Sequence, residues 1–172
     1  MVPALTYIEP ERRIVMIEFK RILWPTDFSE PSLHSLEKAE QLALHFGAEL
    51  LLTHIVAPIP VIAASEAPMA LNVPQYQKEL ETDAKERLNE IQSNKVSEEV
   101  RSRVLIRHGD AAERIDEVAK EEGADLIVIT THGWTGWRHM VFGSVAEKVV
   151  RMAPCPVLTI RTPEQKEQAK RS

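Results

Sequence analysis

The sequence predicts an α/β protein, a single open sheet of parallel strands with helices on both faces. Three observations carry this. Apolar bursts of strand length recur between amphipathic segments of helix length, the pattern of repeated βαβ units. The run from Ala48 to Val56, AELLLTHIV, is almost uninterruptedly apolar, as a strand covered on both faces must be. Helix punctuation by Ser29, Gly47, Asp110 and Gly123 falls at the joints between the segments.

The first strand is RILW, Arg21 to Trp24, and it runs into PTDFSEPS. Ser29 can N-cap the helix that follows, with Pro31 in its first turn, where a missing N–H costs nothing. Leu33, Leu36, Ala39, Ala43 and Phe46 then recur every three or four residues, and Gly47 offers the left-handed stop. After the second strand, APIPVIAASEAPMALNVP is too rich in proline for a helix and long for a connection, so it reads as a surface excursion, a lid or a partner contact. Tyr76, Leu80, Ala84, Leu88 and Ile91 make the next helical stripe, followed by a strand around RSRVLIR. Asp110 and Glu113 have capping-box spacing, with Ile115, Val118 and Ala119 as the buried face and Gly123 as the stop. DLIVI, Asp125 to Ile129, is the fourth strand, and PVLTI is the last, after a helix from Ser144 to about Met152 that Pro154 stops.

These units make one domain, which 172 residues suit. The expected boundaries are an N-terminal extension over 1–15, a candidate for disorder, the domain over 16–162, and a polar C-terminal tail over 163–172. The net charge of -5, with lysines and arginines dispersed, gives no general attraction to nucleic acid or an anionic membrane. Cys155 is the only cysteine, so an intrachain disulfide and a cysteine-based zinc site are excluded. The N-terminus lacks the apolar core of a signal peptide, and no run approaches the roughly 18 apolar residues of a membrane span. The expectation is a cytoplasmic protein.

The segment THGWTGWRHMVFGSVAEKVV, Thr131 to Val150, sets glycines 133, 136 and 143 ahead of an apolar helix. A helix start leaves N–H groups without intrahelical partners and carries positive partial charge, so phosphate oxygens suit it. Gly143 would let a phosphate approach the backbone, and the Ser144 hydroxyl can donate to an anionic oxygen. The bland alternative is that Ser144 caps the helix and the glycines serve turns. In an open α/β sheet, ligands gather beyond the carboxyl ends of the strands where the order reverses, which selects the loops after the first and fourth strands.

RILWPTDFSEPS, HGDAAERIDEVAKEEGADLIVITTHGWTG and FGSVAEKVVRMAPCPVLTI together resemble the universal stress protein family, from about Lys20 to Arg161. The resemblance implies a Rossmann-like sheet of five parallel strands in the order 3-2-1-4-5. It also implies a homodimer through the last strand, Val157 to Ile160. ATP-binding members carry G-x-x-G, nine further residues and G-[ST]. Here Gly133, the nine residues Trp134 to Phe142, and Gly143 with Ser144 fit that pattern, while Thr130 stands where the first glycine belongs. A threonine there either crowds the ribose or α-phosphate or donates a hydrogen bond to it. By the same carry-over, Asp27 is the acid that accompanies nucleotide, its bland alternative being a solvent-exposed turn aspartate that caps the next helix, and Pro25 and Thr26 lie beside the base. Ile55 meets the adenine edge, Ile129 and Thr130 flank the nucleotide, His132 approaches phosphate, and Val145 joins the helix start. His54 reads instead as a hydrogen-bonded core histidine. Trp134 and Trp137 either cover the nucleotide or anchor the glycine segment, with anchoring the favoured reading, and Arg138 and His139 are solvated by default, with an approach to phosphate oxygens as the alternative.

The resemblance therefore implies a stress-response regulatory module that binds ATP, or ADP or AMP. Mg²⁺ or Mn²⁺ would be held through the phosphates, hydrolysis would be slow at most, and an unknown protein partner would read the state. The alternative is a dimerisation and interaction module that binds no nucleotide, with Thr130 blocking the pocket. An adenylyl transferase or ATP pyrophosphatase would want H-x-G-H or S-G-G-x-D-S, and neither string occurs.

Overall fold

The computed structural model describes residues 18–59, 72–131 and 143–161. Its elements are β1 (Arg21–Pro25), α1 (Glu30–Phe46), β2 (Glu49–Val56), α2 (Val73–Lys95), β3 (Ser102–His108), α3 (Ala111–Glu121), β4 (Leu126–Thr130), α4 (Ser144–Met152) and β5 (Val157–Ile160). The strands form one five-stranded sheet in the order β3-β2-β1-β4-β5, and every neighbouring pair is parallel. The strand order and the α/β class are those the sequence implies. The extension over 1–15, the tail over 163–172 and most of the Ala/Pro-rich connection lie outside the described residues.

Strand side chains alternate between faces, so each buried strand feeds two cores. Ile22 and Trp24 of β1, Leu50 and Leu52 of β2 and Val128 of β4 pack with Leu36, Ala39 and Ala43 of α1 and Leu88 of α2. Leu23, Leu51, Ile127 and Ile129 point the other way, onto Ala112, Ile115, Val118 and Ala119 of α3 and Ala146 and Val149 of α4. Burying a leucine or isoleucine fully contributes about 1.5–3 kcal/mol, so the continuous apolar runs stabilise both layers at once. Trp24 is fully buried and donates its indole N–H to Ser35 Oγ at 2.9 Å, which satisfies its one polar atom.

The helix ends follow the local chemistry. Ser29 Oγ accepts from the Ser32 N–H, and Asp110 accepts from the Ala112 and Glu113 N–H groups. Gly47 and Gly123 take the left-handed conformation, at φ 63 and 61, just past α1 and α3. Asn72, which sequence reading passed over, caps α2 by accepting from the Gln75 N–H. Two expected core positions are corrected: Phe46 is 36% and Tyr76 44% exposed. Phe46 is the last residue of α1, and Tyr76 sits in the first turn of a 23-residue helix whose fully buried residues are only Ala84 and Leu88.

Candidate functional site

β1 ends at Pro25, and the turn beyond it is held by short-range polar contacts. The Thr26 N–H donates to the Thr53 carbonyl at 2.9 Å, and the Thr26 and Ser32 hydroxyls lie 2.8 Å apart. Asp27 is not the helix cap; it supports the cap. Its Oδ1 accepts from the Ser29 N–H at 3.0 Å and from Ser29 Oγ at 2.5 Å, so the carboxylate is oriented before any ligand arrives. Next to it Phe28 adopts φ 65, a left-handed conformation that non-glycine residues rarely take.

β4 ends at the buried Ile129 and Thr130. Thr131 is also buried, and its carbonyl accepts from the Gly143 N–H at 2.6 Å, which fastens the start of α4 to the end of β4. Gly143 is the N-cap residue, with φ -70 and ψ 150, and among the described residues no side chain caps the helix. The reading of Ser144 as the cap is thereby corrected: it is the first residue inside the helix, one place too late to cap it. Intrahelical bonding begins with Glu147 N–H to Gly143 C=O at 3.0 Å, so the N–H groups of residues 144, 145 and 146 precede it. Each of the other three described helices receives a side-chain cap, from Ser29, Asn72 and Asp110. The torsions of Gly143 are open to any residue, so it is not a glycine for backbone strain.

These parts border one cavity of about 280 Å³. Pro25, Thr26, Asp27, Ile55, Ile129, Thr130, Gly143, Ser144 and Val145 all line it. His132 and Gly133 lie outside the described residues, as do Trp134, Trp137, Arg138 and His139. The wall also contains residues that sequence reasoning missed as site residues: Ser32, Thr53, His54, Ala111, Ile115, Thr131 and Ala146. Among the described lining residues Asp27 is the one carboxylate, and none is a lysine or arginine. An anion in this cavity would therefore be met there by backbone N–H groups and hydroxyls.

His54 is half-buried and faces the turn. Its Nδ1 lies 2.8 Å from the Thr26 carbonyl, which can only accept, so Nδ1 carries the hydrogen and the neutral ring presents Nε2 as an acceptor. Burial pushes its pKa below the ordinary histidine value, against the raising influence of the Thr26 carbonyl. The expected core histidine is thus hydrogen-bonded, and it also borders the cavity. Its position one residue before Ile55, at the carboxyl end of an inner strand, was the available signal. Among the described residues, no group of three or more His, Cys, Asp or Glu is placed to hold a metal ion, and no helix is long and apolar enough to cross a membrane.

The sequence pattern of the universal stress protein family matches residues 18–161. Universal stress protein MJ0531 of Methanocaldococcus jannaschii is 33% identical over 149 residues, covering 86% of this chain and 85% of that protein. The solved structure of MJ0577, from the same organism, is similar with TM-score 0.74 at 26% identity, covering 85% of this chain and 98% of its own. A family protein from Arabidopsis thaliana, solved with AMP bound, shares the fold with TM-score 0.52 at 20% identity, covering 86% of this chain and 94% of that one. With the family pattern spanning the whole sheet, this chain belongs to the universal stress protein family.

Proposed function

We propose that the chain is an adenine-nucleotide-binding regulatory module, with ATP as its ligand, that works as a homodimeric switch in the stress response and hydrolyses ATP slowly at most. One observation carries the reading: the start of α4, with glycine as its N-cap, and the oriented carboxylate of Asp27 border the same cavity, at the point where the strand order reverses. The apolar wall formed by Ile55, Ile115 and Ile129 suits a base, and Asp27 suits a ribose hydroxyl. The N–H groups of Ser144, Val145 and Ala146, with the Ser144 hydroxyl, suit phosphate oxygens. Bound nucleotide would add negative charge at the start of α4, and Mg²⁺ or Mn²⁺ would travel on its phosphates. The AMP-bound Arabidopsis relative supports adenine nucleotides as the ligand class for this fold.

The test is calorimetric titration of the nucleotide-stripped protein with Mg-ATP, ADP and AMP. Saturable binding with ATP tightest is expected; no heat up to millimolar ATP would sink the reading. A specific observation favours a second reading, a protein-interaction module without nucleotide: Thr130, buried in the cavity wall, brings a branched side chain where ATP-binding members have glycine. Thr130→Gly decides between them. Under the first reading the wild type already binds and the variant changes affinity little; under the second, binding appears only in the variant.

The dimer would form through β5. That strand ends the sheet order, its VLTI side chains carry no charge, and Leu158 is 38% exposed, with Val150 and Met152 on the preceding helix 49% and 42% exposed. A second copy pairing there would cover an edge whose own four side chains carry no charge. Leu158→Lys is expected to shift the protein to monomer in analytical ultracentrifugation; an unchanged sedimentation coefficient would place the dimer elsewhere.

A further inference from the structure

We propose that His54 is a positioning residue for the nucleotide, holding the turn from Thr26 to Phe28 so that Asp27 faces the cavity; this rests on the nucleotide reading above. The histidine grips the turn at both ends. Its Nδ1–H donates to the Thr26 carbonyl at 2.8 Å, and its ring stacks on Phe28, with centroids 4.4 Å apart and an interplanar angle of 29°. Asp27 sits between the two held residues.

Without such a grip the turn has reason to relax. Phe28 is the one non-glycine residue with positive φ among the described residues, and an L side chain at φ 65 is strained. Three contacts oppose relaxation. The Phe28 N–H donates to Thr26 Oγ1 at 2.9 Å, His54 supports one face of the ring, and the Arg87 guanidinium of α2 lies 4.6 Å from the ring centroid. Arg87 has its own support from Asp83, at 3.9 Å. A turn released from His54 would free Phe28 to leave the left-handed region. The Asp27 and Ser29 backbone would move with it, and the Asp27 carboxylate, which is set by the Ser29 N–H and hydroxyl, would lose its direction.

A positioning role predicts a coupling that direct contact does not. The full chain is prepared as wild type, His54→Phe, His54→Asn, Asp27→Ala and the double variants, and Mg-ATP affinity is measured by calorimetry. His54→Phe keeps an aromatic ring but loses the donor, whereas His54→Asn keeps a donor near the Nδ1 position. Expected is a loss of about five- to tenfold for His54→Phe, the scale of one hydrogen bond acting through a charged group, with part of that loss recovered in His54→Asn, which restores the donor and lacks the ring. In the Asp27→Ala background His54→Phe should cost nothing further. Additive losses would mean that His54 touches the ligand itself and would overturn the proposal, as would an unrescued His54→Asn.

Amide hydrogen exchange at Phe28 and Ser29 supplies a readout that needs no ligand. It should accelerate most in His54→Phe and less in His54→Asn; equal exchange in all variants, wild type included, overturns the proposal. If wild type binds no Mg-ATP, the nucleotide reading fails, and the exchange data alone decide whether His54 holds the turn. Should His54→Phe not fold, Phe28→Gly approaches the same contact from the other side. Glycine accepts φ 65 but offers no ring to stack, so affinity should again fall and again be non-additive with Asp27→Ala. Unchanged affinity in Phe28→Gly would overturn the proposal.

Discussion

The two ends of the sheet treat polar groups in opposite ways. At the amino ends of the strands the charges satisfy one another. Asp125 Oδ2 accepts from the Lys20 and Arg21 N–H groups at 2.7 and 2.9 Å, and Glu49 pairs with Arg103 at 2.7 Å and Arg21 at 3.7 Å. Arg103 reaches Glu122 at 2.8 Å, and these two carboxylates raise the pKa of its guanidinium further above its ordinary value. At the carboxyl ends the polar groups converge on a cavity, and one helix begins there with glycine as its N-cap. A closed network of this kind ties strands together, whereas donors aimed into a cavity are placed for something outside the chain. Under the proposed function the fold separates a structural end from a ligand end, and substitutions should sort accordingly.

The largest expected effect is at the ligand end. Ser144→Pro removes both the N–H and the hydroxyl at the first helical position, where proline is tolerated, and the Gly143 torsions of φ -70 and ψ 150 suit a residue before proline. Mg-ATP affinity should fall at least about tenfold, the scale of a lost hydrogen bond to a charged group, while stability changes by no more than about 0.5 kcal/mol. Ser144→Ala, which keeps the N–H, should lose only about 1 kcal/mol, roughly fivefold. If proline and alanine behave alike by calorimetry, the backbone donor is not used and the contrast between the ends weakens.

The second test concerns acid sensitivity, and it too should trace to the ligand end. His54 has a folded-state pKa below its ordinary value of 6.5, so the unfolded chain binds its proton first as pH falls. Its contribution to stability is flat above about pH 7 and declines from there through 6.5 toward the lower native pKa. Denaturant unfolding at several pH values between 7 and 5 should show a steeper decline for wild type than for His54→Asn. Parallel declines would mean that acid acts elsewhere.

The smallest effect belongs to the structural end. Glu49→Gln breaks the pairs with Arg103 and Arg21, which are half-exposed, so it should cost under about 1 kcal/mol. Added salt should diminish the loss, and Mg-ATP affinity should not change. An affinity loss in Glu49→Gln would show that the two ends are coupled.

Much of this architecture can be read from local chemistry. The bounds of α4 follow from Gly143 and Pro154, and the starts and stops of α1 and α3 follow from Ser29, Asp110, Gly47 and Gly123, because each acts through bonds to residues a few positions away. What escaped depends on distant partners or on single torsions. Nothing in the letters PTDFS says that Phe28 turns left-handed, since a phenylalanine there carries no such signal. Thr53, Ala111 and Ile115 join the wall only because β2 lies beside β1 and α3 packs over the same face, contacts between residues far apart in sequence. The start of α4 at Ser144 was read correctly, and only the alternative that Ser144 caps the helix fell one position late, because a glycine and a serine in succession are both acceptable at a helix cap.

The bond from Gly143 to Thr131 has a consequence for how such a protein can change over generations. It joins the two stems of the stretch 132–142, and the Thr131 N–H, bonded to the Ile160 carbonyl at 3.2 Å, fastens that junction to β5. One corner of the fold thus ties the ends of β4 and β5 to the start of α4, so a substitution that shifts any one of the three is passed on to the other two, and their sequences can drift only in step.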